Sequence, residues 1–254
     1  MEKPQPSVPV SPEARRLFFT GIVQRHWDEM RQLFNGRLTS KEKDSWRNVF
    51  EHCVLQLAAA EALADLLKLP EKQRRQLQTV AAIHDWKKRL EIKPGNFTDE
   101  DKNIAERGAA DLLAVADPDA SLMSATGPDF IRRALVSEPT DREYLQFLLD
   151  DYTMGNEIVP FPVRTAEAEN RMSEETKRKL AAHVGVASYW DAERAVCDRA
   201  QWRVFAMLRG VGVEIYSPSD IPFLLQREIA RRLQEKQKVL GQKTPVQGSF
   251  AAVT

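Results

Sequence analysis

Apolar residues along this chain recur at steps of three and four rather than two, the spacing of one face of an α-helix. The clearest run is Trp46, Phe50, Cys53, Leu57, Ala60, Ala64 and Leu67. It predicts a long helix from about Ser40 to Leu69, closed by Pro70, because proline cannot continue the ladder. A second helix begins near Glu71 and reaches Trp86. Ser11-Pro12 marks an N-terminal helix start, a cap followed by a first-turn proline, and Asn35-Gly36 its stop. Further helices are expected at about 100–116, 128–137, 141–153, 173–184, 189–209 and 221–240, the last capped by Ser219 or Asp220 with Pro222 in its first turn. The one β-like stretch, "VGVEIY" (211–216), is too short and isolated to build a sheet. The pattern therefore predicts an all-α, multi-helix bundle with additional C-terminal helices. Residues 1–10 and 241–254 are expected to be disordered tails, 11–165 the main helical domain, and 166–240 a C-terminal helical segment packed on it.

Charge narrows the partners. Lys plus Arg and Asp plus Glu each count 37 in 254 residues, so no net field draws the chain to nucleic acid or to a membrane surface. No apolar run approaches the roughly 20 residues of a membrane span, and the N-terminal stretch holds no apolar core of signal-peptide length. The two cysteines, Cys53 and Cys197, offer neither zinc-knuckle spacing nor a disulfide framework, so a reducing, cytoplasmic location is expected.

Chemistry concentrates on the histidines, of which there are four. His52 sits in the middle of the long apolar-patterned helix, and His84-Asp85 follow "TVAAI" at the end of the next. Two antiparallel helices joined by a short turn at Pro70 bring His52 and His84 to similar levels of the hairpin. Neutral imidazole and carboxylate together are common ligands of first-row divalent metals. A fourth ligand must come from elsewhere, and "YLQFLLDDYTMG" offers Asp150 or Asp151. His26 and His183 have nothing comparable around them and read as structural or surface residues.

Three segments in order resemble the HD-domain metal-dependent phosphohydrolase superfamily, whose signature is H…HD…D on an all-helical scaffold. "NVFEHCV" (48–54) is similar to the first block, "AAIHDWKKR" (81–89) to the block usually written L-H-D-I-G-K, and "LLDDYTMGNEIVPFPVR" (148–164) to the last. The resemblance covers roughly residues 50–164 and implies an HD-type bundle. It also implies one divalent metal ion (Mn, Co, Ni, Fe, Zn or Mg) held by His52, His84, Asp85 and a late aspartate. Family spacing favours Asp150 for that position and helical phase favours Asp151; Asp150 is preferred because a ligand must face a cleft rather than the core. The implied chemistry is hydrolysis of a phosphoester, with nucleotides among the candidate substrates, by a metal-activated water. Asp85, or whichever of Asp150 and Asp151 is not a ligand, would orient the water, and Lys88, Arg164 and Arg47 would neutralise the phosphate.

The sequence also departs from the family. Trp86-Lys87 replace the small I-G pair, no further histidines lie between the HD pair and the last block, and the general acid has no clean counterpart. The alternative is therefore a non-catalytic HD-like module that binds a nucleotide or a protein partner. The tryptophan and leucine stripes between residues 190 and 236 read as helices completing the core, and the charge-laced last helix offers a face for a homodimer.

Overall fold

Alanine and leucine dominate the stretch after His52, and it folds as helix α1, Ser40–Leu66. Backbone geometry ends this helix before Leu69, the end expected from sequence. Lys68 adopts φ 52, and the Leu69 N–H reaches back to the Ala64 carbonyl at 2.9 Å, a left-handed C-terminal cap. Pro70 then starts α2, Glu71–Ile83, which packs antiparallel on α1 through Leu77, Val80 and Ala81. The computed structural model describes residues 40–85, 98–100, 103, 118–155 and 157–242, with backbone only at 40–48, 50, 51, 233, 234 and 236–242. The helix expected after Ser11 lies outside the described residues, as does most of that expected at 100–116.

The remaining helices are α3 (Ala120–Met123), α4 (Gly127–Val136), α5 (Asp141–Asp151), α6 (Phe161–Arg171), α7 (Glu174–Val184), α8 (Tyr189–Gly210) and α9 (Ile221–Gln242). Their starts follow local chemistry. Thr140 and Glu143 form a reciprocal capping box at α5, with the Thr140 N–H donating to Glu143 Oε2 at 2.8 Å. Ser173 caps α7, Ser188 caps α8, and Gly185 closes α7 at φ 82. Ser217 caps a 3₁₀ turn over Pro218–Asp220, so α9 is entered through that turn instead of a direct Ser219 or Asp220 cap.

"VGVEIY" forms no strand; it runs as a turn and extended chain between α8 and the 3₁₀ turn, held by Arg209 donating to the Ile215 carbonyl. "PFPVRTAEAEN", within which the expected division at 165/166 falls, forms helix α6 with Pro162 inside the first turn. A two-residue antiparallel pair, Thr153–Met154 (β1) with Glu157–Ile158 (β2), turns the chain between α5 and α6.

The architecture is all-α apart from that short pair. Helix α5 is central: it packs on α1 and α2 on one side and on α8 and α6 on another. One apolar cluster runs continuously from Ala59 through Phe130 and Leu148 to Leu225. Arg142 ties α5 to α2 and α3 by donating to Gln76 Oε1 at 2.7 Å and Asp119 Oδ2 at 3.1 Å. Asp65 of α1 pairs with Arg74 of α2 and Arg232 of α9. Among the described residues no helix is long and apolar enough to cross a membrane.

Candidate metal centre

Three segments deliver polar side chains to one point. Helix α1 supplies His52, the end of α2 supplies His84 and Asp85, and the last turn of α5 supplies Asp150. The His52 and His84 Nε2 atoms stand 3.2 Å apart. Asp150 Oδ1 is 3.2 Å from the first and 3.3 Å from the second. The Asp85 carboxylate spans both rings, Oδ2 at 3.6 Å from His52 Nε2 and Oδ1 at 3.5 Å from His84 Nε2. His52 and His84 are both buried.

These distances test whether a cation fits. Metal–donor bonds of about 2.0–2.2 Å place neighbouring ligands roughly 3.0–3.6 Å apart in octahedral or tetrahedral sites; the two imidazoles hold that spacing to each other and to each carboxylate. The donor set suits a first-row divalent ion. His84 Nδ1 lies 3.1 Å from the Ala81 carbonyl; a carbonyl only accepts, so Nδ1 carries a proton and Nε2 is the ring atom that faces the cluster, where a cation would take its lone pair. The buried His52, His84 and Asp85 group can hold a metal ion, and Asp150 completes its rim.

The adjacent aspartates part company because successive helical residues diverge by about 100°. Asp150 faces the imidazoles. Burial works to raise its pKa, but the His52 and His84 rings outweigh it and hold the carboxyl well below its ordinary range. Asp151 faces α8, where Cys197 Sγ donates to its Oδ2 at 3.4 Å. Burial, then the charges of Glu193 and Asp150, push Asp151 well above the usual carboxylate range.

Of the expected phosphate-binding cations, Lys88 lies outside the described residues, as does the Arg47 side chain. Arg164 is half-buried; its Nε donates to the Thr153 carbonyl at 3.2 Å, and it lines a cavity of ≈ 230 Å³ together with Asp150, Asp151, Tyr189, Trp190 and Glu193. Two buried polar atoms of this lining, Trp190 Nε1 and Glu193 Oε2, have no hydrogen-bond partner among the described residues. His183 sits at the surface with its Nε2 2.9 Å from Asp129 Oδ1, and His26 lies outside the described residues.

Sequence reasoning missed two groups. Gln56, fully buried, places its amide nitrogen 2.8 Å from Asp150 Oδ1; the signal available was its position one helical turn after His52. Nothing in the local pattern marks Glu193, and only the packing of α8 on α5 reveals its burial.

Burial pushes Glu193 from its ordinary 4.5 up to about 7. Between those values the folded state holds a proton that the unfolded chain has released, so stability falls as pH rises through the window. Glu193→Gln removes this loss. Relative to wild type, the variant gains up to roughly 3 kcal/mol between pH 4.5 and 8, read from urea unfolding in the presence of chelator; parallel pH dependence of the two proteins would refute it.

Comparisons with family models, with curated proteins and with solved structures find no match to this chain.

Proposed function

We propose that the protein is a metal-dependent phosphohydrolase of the HD type, cleaving a phosphoester, with nucleotides the first substrates to try. The observation that carries this is that Asp85 and Asp150 each lie 3.2–3.6 Å from both His52 and His84, whose rings are 3.2 Å apart, in the order and with the residue types of the H…HD…D signature. A divalent ion bound there supplies a hydroxide near neutral pH and a Lewis-acid grip on a phosphate oxygen.

The chain's own groups do the rest. The Nδ1 contact to Ala81 fixes the His84 ring, and Asp85 accepts a hydrogen bond from the attacking water and orients it. Arg164, on the cavity that reaches Asp150, balances the substrate's negative charge, with Lys88 and Arg47 as its helpers. The non-phosphate part of the substrate enters the same cavity, where Tyr189 and Trp190 offer aromatic walls and Trp190 Nε1, without a partner among the described residues, offers a donor.

The test is a screen of purified protein with Mn²⁺, Co²⁺, Ni²⁺ and Mg²⁺ against nucleotides and generic phosphoesters. Hydrolysis that chelator stops and metal restores is the expected result. Metal retained without turnover of any phosphoester would replace the enzyme with a binding module on the same scaffold. Arg164→Ala is expected to raise KM about tenfold or more with a smaller change in kcat, since it removes ground-state charge pairing; an unchanged KM would remove Arg164 from the substrate site.

A further inference from the structure

Gln56 is fully buried within the apolar face of α1, four residues after His52. A buried primary amide carries two donors and an acceptor with two lone pairs, and leaving them unmet is costly. One end of this amide, the nitrogen, lies 2.8 Å from Asp150 Oδ1, 3.1 Å from His52 Nε2 and 3.4 Å from His84 Nε2. The atoms it touches stand 3.2–3.3 Å from one another, so the end of the Gln56 side chain occupies one more corner of the same arrangement. The other end, Oε1, faces Gln146 Nε2 at 3.5 Å, a long contact. Gln146 is itself fully buried, stands four residues before Asp150 on α5, and its Oε1 has no partner among the described residues.

We infer that Gln56 is a further ligand of the metal centre, coordinating through its amide oxygen. A cation among these donors repels an inward N–H and attracts an inward carbonyl oxygen. A half-turn of the terminal amide exchanges two groups of nearly equal size and presents Oε1 to the cation. The same half-turn directs the Gln56 N–H toward Gln146, whose own amide must turn as well so that its Oε1, in place of the Nε2 that now faces Gln56, accepts that hydrogen. The two rotations together serve the ion and the orphaned acceptor. Two buried glutamines, one turn after His52 and one turn before Asp150, form the floor of the site. This inference rests on the metal centre proposed above, and it adds a ligand outside the H…HD…D pattern.

Competition titration with Co²⁺ and with Mn²⁺ alone, on wild type, Gln56→Leu, Gln56→Met, Gln56→Glu and His52→Ala, tests it. Visible absorption of the Co²⁺ forms is recorded, and melting in chelator confirms that each variant is folded; the Met variant serves where the Leu variant does not fold. Gln56→Leu or Gln56→Met is expected to weaken Co²⁺ binding ten- to a hundredfold and to alter the Co²⁺ spectrum. Gln56→Glu is expected to match or exceed wild-type affinity, because a carboxylate oxygen replaces the amide oxygen. If Glu weakens binding as much as Leu does, Gln56 acts only as an N–H donor to Asp150 and the inference falls. Affinity and spectrum unchanged in the Leu and Met variants while His52→Ala loses metal would also overturn it, leaving the metal centre standing. Wild-type affinity in His52→Ala would overturn the centre itself.

Discussion

His84→Ala and Asp85→Ala will each abolish tight divalent-metal binding and reduce metal-dependent phosphoester hydrolysis by roughly 10³-fold or more, because groups that act as one unit lose most of their effect together. The fold should survive. His84 caps the end of α2, and its ring lies among polar groups rather than in the apolar cluster, so unfolding in chelator should change by no more than about 1 kcal/mol. Metal supplies an independent readout. An ion at a hundred times its dissociation constant adds about 2.7 kcal/mol to the native state, which is roughly 5–10 °C in Tm for a chain of this size. Wild type should show that shift with Mn²⁺ or Co²⁺ and both variants should not. Undiminished hydrolysis in either variant would remove the phosphohydrolase reading, and an undiminished thermal shift would remove the metal centre as well.

Phe130→Ala will cost about 3–5 kcal/mol, the range for deleting a large ring from a packed core, and lower Tm by roughly 6–20 °C. Phe130 is fully buried, its ring lies 4.8 Å from that of Phe147, and the Arg133 guanidinium sits 5.2 Å over its face. The contact matters for function because it braces α4 against α5, the helix whose last turn carries Asp150. Phe223→Ala gives the control: that ring is 54% exposed, and its loss should cost under about 0.5 kcal/mol. Comparable losses at the two positions would show that α4 and α5 are not packed as described.

Much of the fold was legible from local signals. The α1 periodicity, the Pro70 turn, the Thr140 capping box and the Ser188 cap each act within a few residues, where backbone hydrogen bonding decides the outcome. Helix α6 spans the expected division at 165/166, since a proline in the first helical turn costs no hydrogen bond. Valines and an isoleucine made 211–216 look like a strand, but a strand needs a partner, and this segment pairs with none among the described residues.

The sequence by itself determined the helical class, the α1–α2 hairpin and the ligand-type chemistry of His52, His84 and Asp85, since those depend on residue type, short-range spacing and one turn. It preferred Asp150 against a helical phase that favoured Asp151, because helical phase inside one segment cannot say which neighbour lies across the gap. Tertiary packing turned Asp150 toward imidazoles, the nearer of them in sequence 66 residues away and His52 98 residues away, and turned Asp151 toward α8. The same packing buried Glu193 and set Gln56 against three ligand atoms. Such juxtapositions come from how helices dock on α5, a sum of apolar contacts over the whole core that no single stretch of chain encodes.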